Sequence, residues 1–165
     1  MAAHTQISVE EYLRTSFDGP DCEYLDGEIV ERGMPNKQHS KAHARLITWF
    51  VGLDEKLSLC WLPDIRVRVD ERRYRVVDLA VFQGEPAEDV PSSPPLVAIE
   101  ILSPDDRFAE VLTKLEEYHS WGVAHVWFVD PIRRKLYVYT AGLSEATAFR
   151  LPEYGVEITA SEIFR

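Results

Sequence analysis

The chain has 165 residues, 45% of them hydrophobic and 28% charged, which is a globular composition and the length of one well-cored domain spanning 1–165. Its 28 acidic and 18 basic residues give a formal charge of -10, which argues against duplex binding through overall charge, since phosphate contact needs clustered Lys and Arg. Met1 to Glu10 lacks the basic start and apolar run of a signal peptide, and no apolar stretch reaches the roughly 20 residues of a membrane span. Cys22 and Cys60 lie outside any metal-ligand spacing and read as reduced thiols of a cytoplasmic protein.

Ser8 and Glu11 have capping-box spacing, so a short helix is expected to run to about Thr15 and to break at Asp18-Gly19-Pro20-Asp21. Glu23 to Leu25, the Asp26-Gly27 turn and Glu28 to Glu31 read as an N-terminal β-hairpin. After a loop at Gly33 to Asn36, the apolar spacing of Leu46, Ile47, Phe50, Val51 and Leu57 predicts a helix over Lys37 to Leu57. Strands follow at Leu59 to Leu62, Ile65 to Val69 and Arg75 to Phe82. Arg66, Arg68, Arg72, Arg73 and Arg75, and later Arg133, Arg134 and Lys135, read as solvated turns.

Gln83 to Pro95 holds Pro86, Pro91, Pro94 and Pro95 and reads as a surface loop. Leu96 to Leu102 is a strand that stops at Ser103-Pro104. Asp105 is the expected cap of a helix that ends before Gly122. His125 to Asp130 and Lys135 to Ala141 form a strand pair. Thr147 to Leu151 and Val156 to Thr159 add strands, and Ala160 to Phe164 a last helical turn. The fold class is α/β in the broad sense (α+β): a mixed central sheet flanked by helices.

Two of these strands each place one acid where an apolar residue belongs. Asp78 stands in Arg75-Val76-Val77-Asp78-Leu79-Ala80-Val81-Phe82, and Glu100 in Leu96-Val97-Ala98-Ile99-Glu100-Ile101-Leu102. Runs so rich in β-branched and apolar residues fit strands covered on both faces. A carboxylate there is costly unless it is paired, protonated or bound to a cation. Either acid alone reads as the partner of a buried Arg or as the cap of a neighbouring backbone group. Two on adjacent strands point to a shared cation, because perturbed acids cluster at functional sites. Ala80 and Ala98, each two positions from its acid on the same face, would leave room for an ion or a water.

In the helix after Glu100, Phe108, Val111, Leu112, Leu115 and His119 fall on one stripe, and Lys114 lies beside it. Its stem can follow apolar surface while its ammonium reaches a polar cleft. Taken alone it reads as an exposed lysine paired with Glu110 or Glu117. Other chemistries find less support. His39 and His43 have the i, i+4 spacing of a helical zinc site, but Ser40 stands where the glutamate of a zinc protease belongs. His4, His119 and His125 have no suggestive spacing. There is no glycine-rich phosphate loop and no nucleophile elbow.

The segments "EYLDGEIVE", "PNKQHSKAHARL", "VAIEILSP" and "RFAEVLTKLEEYHSWGVAHVWFVDP" together resemble the Uma-type family of bacterial endonucleases, over most of the chain. That family is similar to the restriction-endonuclease-like superfamily with its PD-(D/E)xK motif. The resemblance implies that Asp78 and Glu100 are metal ligands. It also implies that Lys114 is the superfamily lysine moved onto the following helix, with Leu102 at the usual lysine position. Glu23 resembles a further acid of the site, and His39 the histidine at the start of the long helix. Val77 departs from the pattern, standing where the motif has a proline.

Two hard carboxylates suit Mg²⁺ or Mn²⁺, and the Ile101 carbonyl would add an oxygen. The expected activity is metal-dependent hydrolysis of phosphodiester bonds in DNA. Two alternatives stay open: a non-catalytic binding or assembly module on the same fold, and a phosphoesterase for small or single-stranded substrates. A homodimer is expected, from the superfamily resemblance and from the aromatic-rich hairpin Val126 to Tyr139 as a dimer surface.

Overall fold

A computed structural model describes residues 6–19 and 21–165, without the side chains of residues 54 and 55. His4, and Pro20 of the expected helix break, lie outside the described residues. Helix α1 spans Val9–Arg14, and Ser8 Oγ accepts the Glu11 N–H at 3.1 Å. Strands β1 (Glu23–Leu25) and β2 (Glu28–Val30) form the expected hairpin. Asp26 and Gly27 have φ of 53° and 104°, the positive pair that a two-residue hairpin turn needs and that Asp and Gly tolerate. Helix α2 runs over Lys37–Leu57, started by Asn36 Oδ1, which accepts the His39 N–H at 3.0 Å. Leu46 and Phe50 carry its buried side, whereas Val51 is exposed.

The two strands expected between Leu59 and Val69 are one, β3 (Leu59–Asp70), paired along its length with β4 (Arg73–Gln83). Asp64 has φ of 48°, yet the register is the same on both sides of it, from Leu59 to Arg68, and shifts only between Arg68 and Asp70, so the ladder is not cut at Pro63. Then come β5 (Val97–Ile101), α3 (Phe108–Trp121), β6 (His125–Asp130) and β7 (Lys135–Tyr139). Strand β8 (Leu143–Ala146) was not anticipated; it is an edge strand with no buried residue to give it a sequence signal. Strands β9 (Ala148–Leu151) and β10 (Val156–Thr159) form a separate pair, followed by α4 (Ala160–Ile163).

The main sheet has the order β2-β1-β4-β5-β6-β7-β8, with β3 also on β4. Only β5 and β6 run parallel, joined through α3 as a parallel pair requires. Helix α2 covers one face, where Leu46 and Phe50 meet Leu79, Val81, Val97, Ile99 and Trp127. On the other face Val111, Leu115 and Tyr118 of α3 meet Ala80, Phe82, Ala98 and Phe128. Ala80 and Ala98 are cross-strand partners, and both pack in this α3 cluster.

Two local expectations are corrected. Asp105 does not cap α3: the cap position is Arg107, with no side-chain bond, and Asp106 instead accepts the Ser103 N–H at 2.7 Å. The helix does end at Gly122, with φ of 111°. Its buried stripe is Val111, Lys114, Leu115 and Tyr118, while Phe108 and His119 face outward. In the hairpin Val126 to Tyr139, Tyr137 and Tyr139 are half-buried, and the aromatic side chains of β6 lie inside. Trp127 stacks on Phe149 with ring centroids 4.4 Å apart, and Phe128 is buried.

Candidate active site

The site is a break in the sheet. Strand β3 lines one edge of β4, and β1 and β5 share the other. Strand β1 pairs with Arg73 and Tyr74, and β5 with Leu79, Ala80 and Val81. Between them, Arg75 to Asp78 have no backbone neighbour on that edge, although buried peptide groups need partners. Side chains take the place of the missing strand. Glu23 Oε1 accepts the Val76 N–H at 3.0 Å, and the Val76 carbonyl accepts from Lys114 Nζ at 2.8 Å. Across the break, Asp78 Oδ2 accepts the Ile101 N–H at 2.7 Å.

These contacts bring Asp78, Glu100, Lys114, Glu23 and His39 to one cavity of about 700 Å³, which Ile101 also lines. Lys114 is buried, with Nζ 3.0 Å from Glu100 Oε2 and 2.7 Å from Glu23 Oε1. Its three donors are therefore engaged, and neither Glu110 nor Glu117 is its partner. Tyr118, one turn on, donates its hydroxyl to Glu100 Oε1 at 2.8 Å. Glu117 is held by Arg73 and by Arg75, whose Nε donates to Oε2 at 2.7 Å. Arg75 also reaches Glu23 Oε2 at 2.8 Å, so this arginine is a buried network member and not a solvated turn residue. His39 Nε2 stands 3.5 Å from Asp78 Oδ2. Gly33 has no room for a side chain: a Cβ would lie 2.6 Å from Asp106 Oδ1, so the loop before α2 packs closely on the loop after β5.

The two acids have opposite electrostatics. Burial raises the Asp78 pKa, but His39, the Arg32 guanidinium and Lys114 outweigh it and hold the carboxyl at about 2. Burial also raises Glu100; Lys114 opposes it, the Asp78 charge adds to it, and the result is about 7. Lys114 loses stability as a cation through burial, yet Glu100 and Glu23 keep its pKa above the ordinary lysine value. The site thus sets a firmly charged Asp78 and a firm Lys114 cation beside Glu100, an acid short of positive charge.

Arg32, Arg75 and Tyr118 escaped the sequence reading. Tyr118 carried a usable signal, the i, i+4 spacing from Lys114 on a half-apolar helix. Arg32 follows the hairpin and pairs with Asp78, a contact with no local sequence signature.

Asp78, Glu100 and the Ile101 carbonyl are a hard-oxygen set that suits Mg²⁺ or Mn²⁺, and the electrostatics of Glu100 favour an added cation. Among the described residues, no group of three or more His, Cys, Asp and Glu forms a ready-made metal cage. An ion here would share protein carboxylates with water and substrate oxygens, as Mg²⁺ commonly does.

A mixed sheet flanked by helices, broken at an acid–lysine cluster, defines a restriction-endonuclease-like α+β domain. The chain belongs to the Uma2 family, described as "Putative restriction endonuclease", which matches residues 9–165. Among solved structures it is similar to one described as "a putative nuclease belonging to DUF820" from Anabaena variabilis. That likeness has a TM-score of 0.81 at 20% identity and covers 96% of this chain and 97% of that one. No curated protein matches the chain. Family and fold neighbour agree on a nuclease-like protein. No helix among the described residues is long and apolar enough to cross a membrane.

Proposed function

We propose that this protein is a metal-dependent endonuclease that hydrolyses phosphodiester bonds of DNA. The observation that carries the proposal is the buried Lys114 ammonium, 3.0 Å from Glu100 and within one cavity with Asp78, in a chain of a nuclease family. Asp78 and Glu100, with the Ile101 carbonyl, would hold Mg²⁺ or Mn²⁺. Such an ion supplies Lewis-acid polarisation of the scissile phosphate when bound.

The chain's own groups do the rest. Lys114 Nζ stabilises the negative charge that develops as the oxygen of a water bonds to phosphorus and the ester P–O bond breaks. The attacking water gives up one proton to solvent and the leaving alkoxide takes one up, so the products are a phosphate monoester and a hydroxyl. Glu23 is a positioning residue that fixes Lys114, and Arg75 in turn fixes Glu23. His39 orients Asp78. The protein acts in the cytoplasm, and a homodimer would provide one site for each strand of a duplex. A light-scattering mass of one chain would remove the dimer.

The test is cleavage of double-stranded DNA, single-stranded DNA and RNA with Mg²⁺ or Mn²⁺. DNA cleavage that EDTA abolishes and Lys114→Ala lowers ~10²–10³-fold is the expected result. Cleavage by Lys114→Ala at the wild-type rate would remove Lys114 from the chemistry. One observation favours a second reading, a phosphoesterase of single-stranded or small substrates: Asp and Glu outnumber Arg and Lys around the cavity. A rate independent of duplex structure and strand length would support it. No hydrolysis of any of these substrates would favour the binding module.

A further inference from the structure

Arg32 is a cation of the cluster that comes from a loop, whereas Arg75 comes from the sheet and Lys114 from α3. It follows β2 and lines the cavity. Its Nη2 donates to Asp78 Oδ1, and its Nη1 lies 3.6 Å from Asp64 Oδ1. The guanidinium therefore bridges a buried carboxylate, 4% exposed, and an outer one, 57% exposed. The two oxygens of Asp78 are used differently. Oδ2 is committed to the sheet through the Ile101 N–H at 2.7 Å and faces His39. Oδ1 has Arg32 as its partner. An arginine does not lose its proton in proteins, so its charge leaves Asp78 only if the side chain moves.

We propose that Arg32 is an exchangeable internal counter-cation of Asp78: its guanidinium and a divalent cation compete for Oδ1, with Asp64 as the outer station of the displaced side chain. The inference rests on the reading of Asp78 and Glu100 as metal ligands. Like charges a few ångströms apart in a buried site repel strongly, so guanidinium and metal exclude each other from that oxygen. Asp64, in β3 with positive φ, lines the same cavity, and its exposed carboxylate lies 3.6 Å from the guanidinium. Metal affinity is then set partly by Arg32, a residue that ligates nothing.

The test is titration of Mn²⁺ alone, followed by the electron paramagnetic resonance of the free ion. The variants are Arg32→Ala, Asp64→Asn, both together, and the ligand double variant Asp78→Asn with Glu100→Gln. Asn keeps the tolerance for positive φ that position 64 needs, and the position is exposed, so this variant retains the fold. Arg32→Ala is expected to bind Mn²⁺ about tenfold more tightly or better, the order that loss of a nearby like charge produces. Its melting temperature is expected to rise more on Mn²⁺ addition than that of the wild type. Asp64→Asn is expected to weaken binding severalfold in the wild type and to have little effect beside Arg32→Ala, because it acts through Arg32.

Wild-type binding that the ligand double variant loses but Arg32→Ala leaves unchanged or weaker would overturn the competition and keep the metal site. An equal effect of Asp64→Asn in both backgrounds would also overturn it. No Mn²⁺ binding to the wild type or to Arg32→Ala would overturn the metal reading itself, and the inference with it.

Discussion

Two halves of one strand are built on different principles. From Leu79 to Val81, β4 is paired on both edges and its side chains are hydrocarbon. From Arg75 to Asp78, one edge has no strand, and Glu23, Lys114 and Asp78 supply or satisfy the hydrogen bonds that a ladder would. The first half gains stability from burial of apolar surface. The second half depends on mutual satisfaction of charges, which costs heavily when one member is removed. A fold that ends two strands on the same edge of a third thus creates a polar, pre-arranged cavity at the break, which the loops after β2 and β5 complete.

The largest effect should follow from breaking the polar half. Lys114→Ala leaves Glu23 and Glu100 buried without their shared cation, and should cost ~3–5 kcal/mol in urea unfolding as well as the ~10²–10³-fold in cleavage rate. Leu79→Ala in the hydrocarbon half should cost ~2–5 kcal/mol by the same measurement, through the cavity it leaves.

A smaller and opposite-signed pair of effects concerns pH in the metal-free protein. Glu100 titrates near 7 in the fold against an ordinary 4.5, so the folded state binds a proton that the unfolded chain has lost. Its contribution makes stability fall as pH rises from 4.5 to about 7, and Glu100→Gln should flatten that slope. Asp78, lowered to about 2 from 3.8, contributes stability that is full above 3.8 and is lost as pH falls towards 2. Denaturant unfolding across that range checks both. The smallest effect is expected at the surface: Arg150 and Glu157 pair across β9 and β10 with more than half of each side chain exposed, and Arg150→Ala should change stability by less than ~1 kcal/mol.

The hydrocarbon half was legible in the sequence, because β-branched runs, turn residues and helical spacing are local signals. The hairpin at Asp26-Gly27, helix α2 and the helix stop at Gly122 all follow from such signals. So did the oddity of Asp78 and Glu100, which broke an otherwise apolar pattern. The partners that complete the polar half were not legible as a network. Arg75 read as one of a basic run, since nothing local says that Glu23 lies 52 residues away on the adjoining strand. Arg32 reaches Asp78 over 46 residues, through a hairpin whose docking is tertiary. The capping role given to Asp105 failed because Asp106 closes the preceding turn first. The stripe on α3 was misplaced by one position because Lys114 and Tyr118, polar by type, are buried by the break in the sheet.

The central claim is that Asp78 and Glu100 form one cation site. Calorimetric titration of Mn²⁺ into the wild type and into Asp78→Asn with Glu100→Gln tests it without any knowledge of the substrate. The account predicts binding to the wild type that vanishes in the double variant. Equal binding in both, or none in either the wild type or Arg32→Ala, would contradict it and leave the two acids with a structural role in closing the sheet.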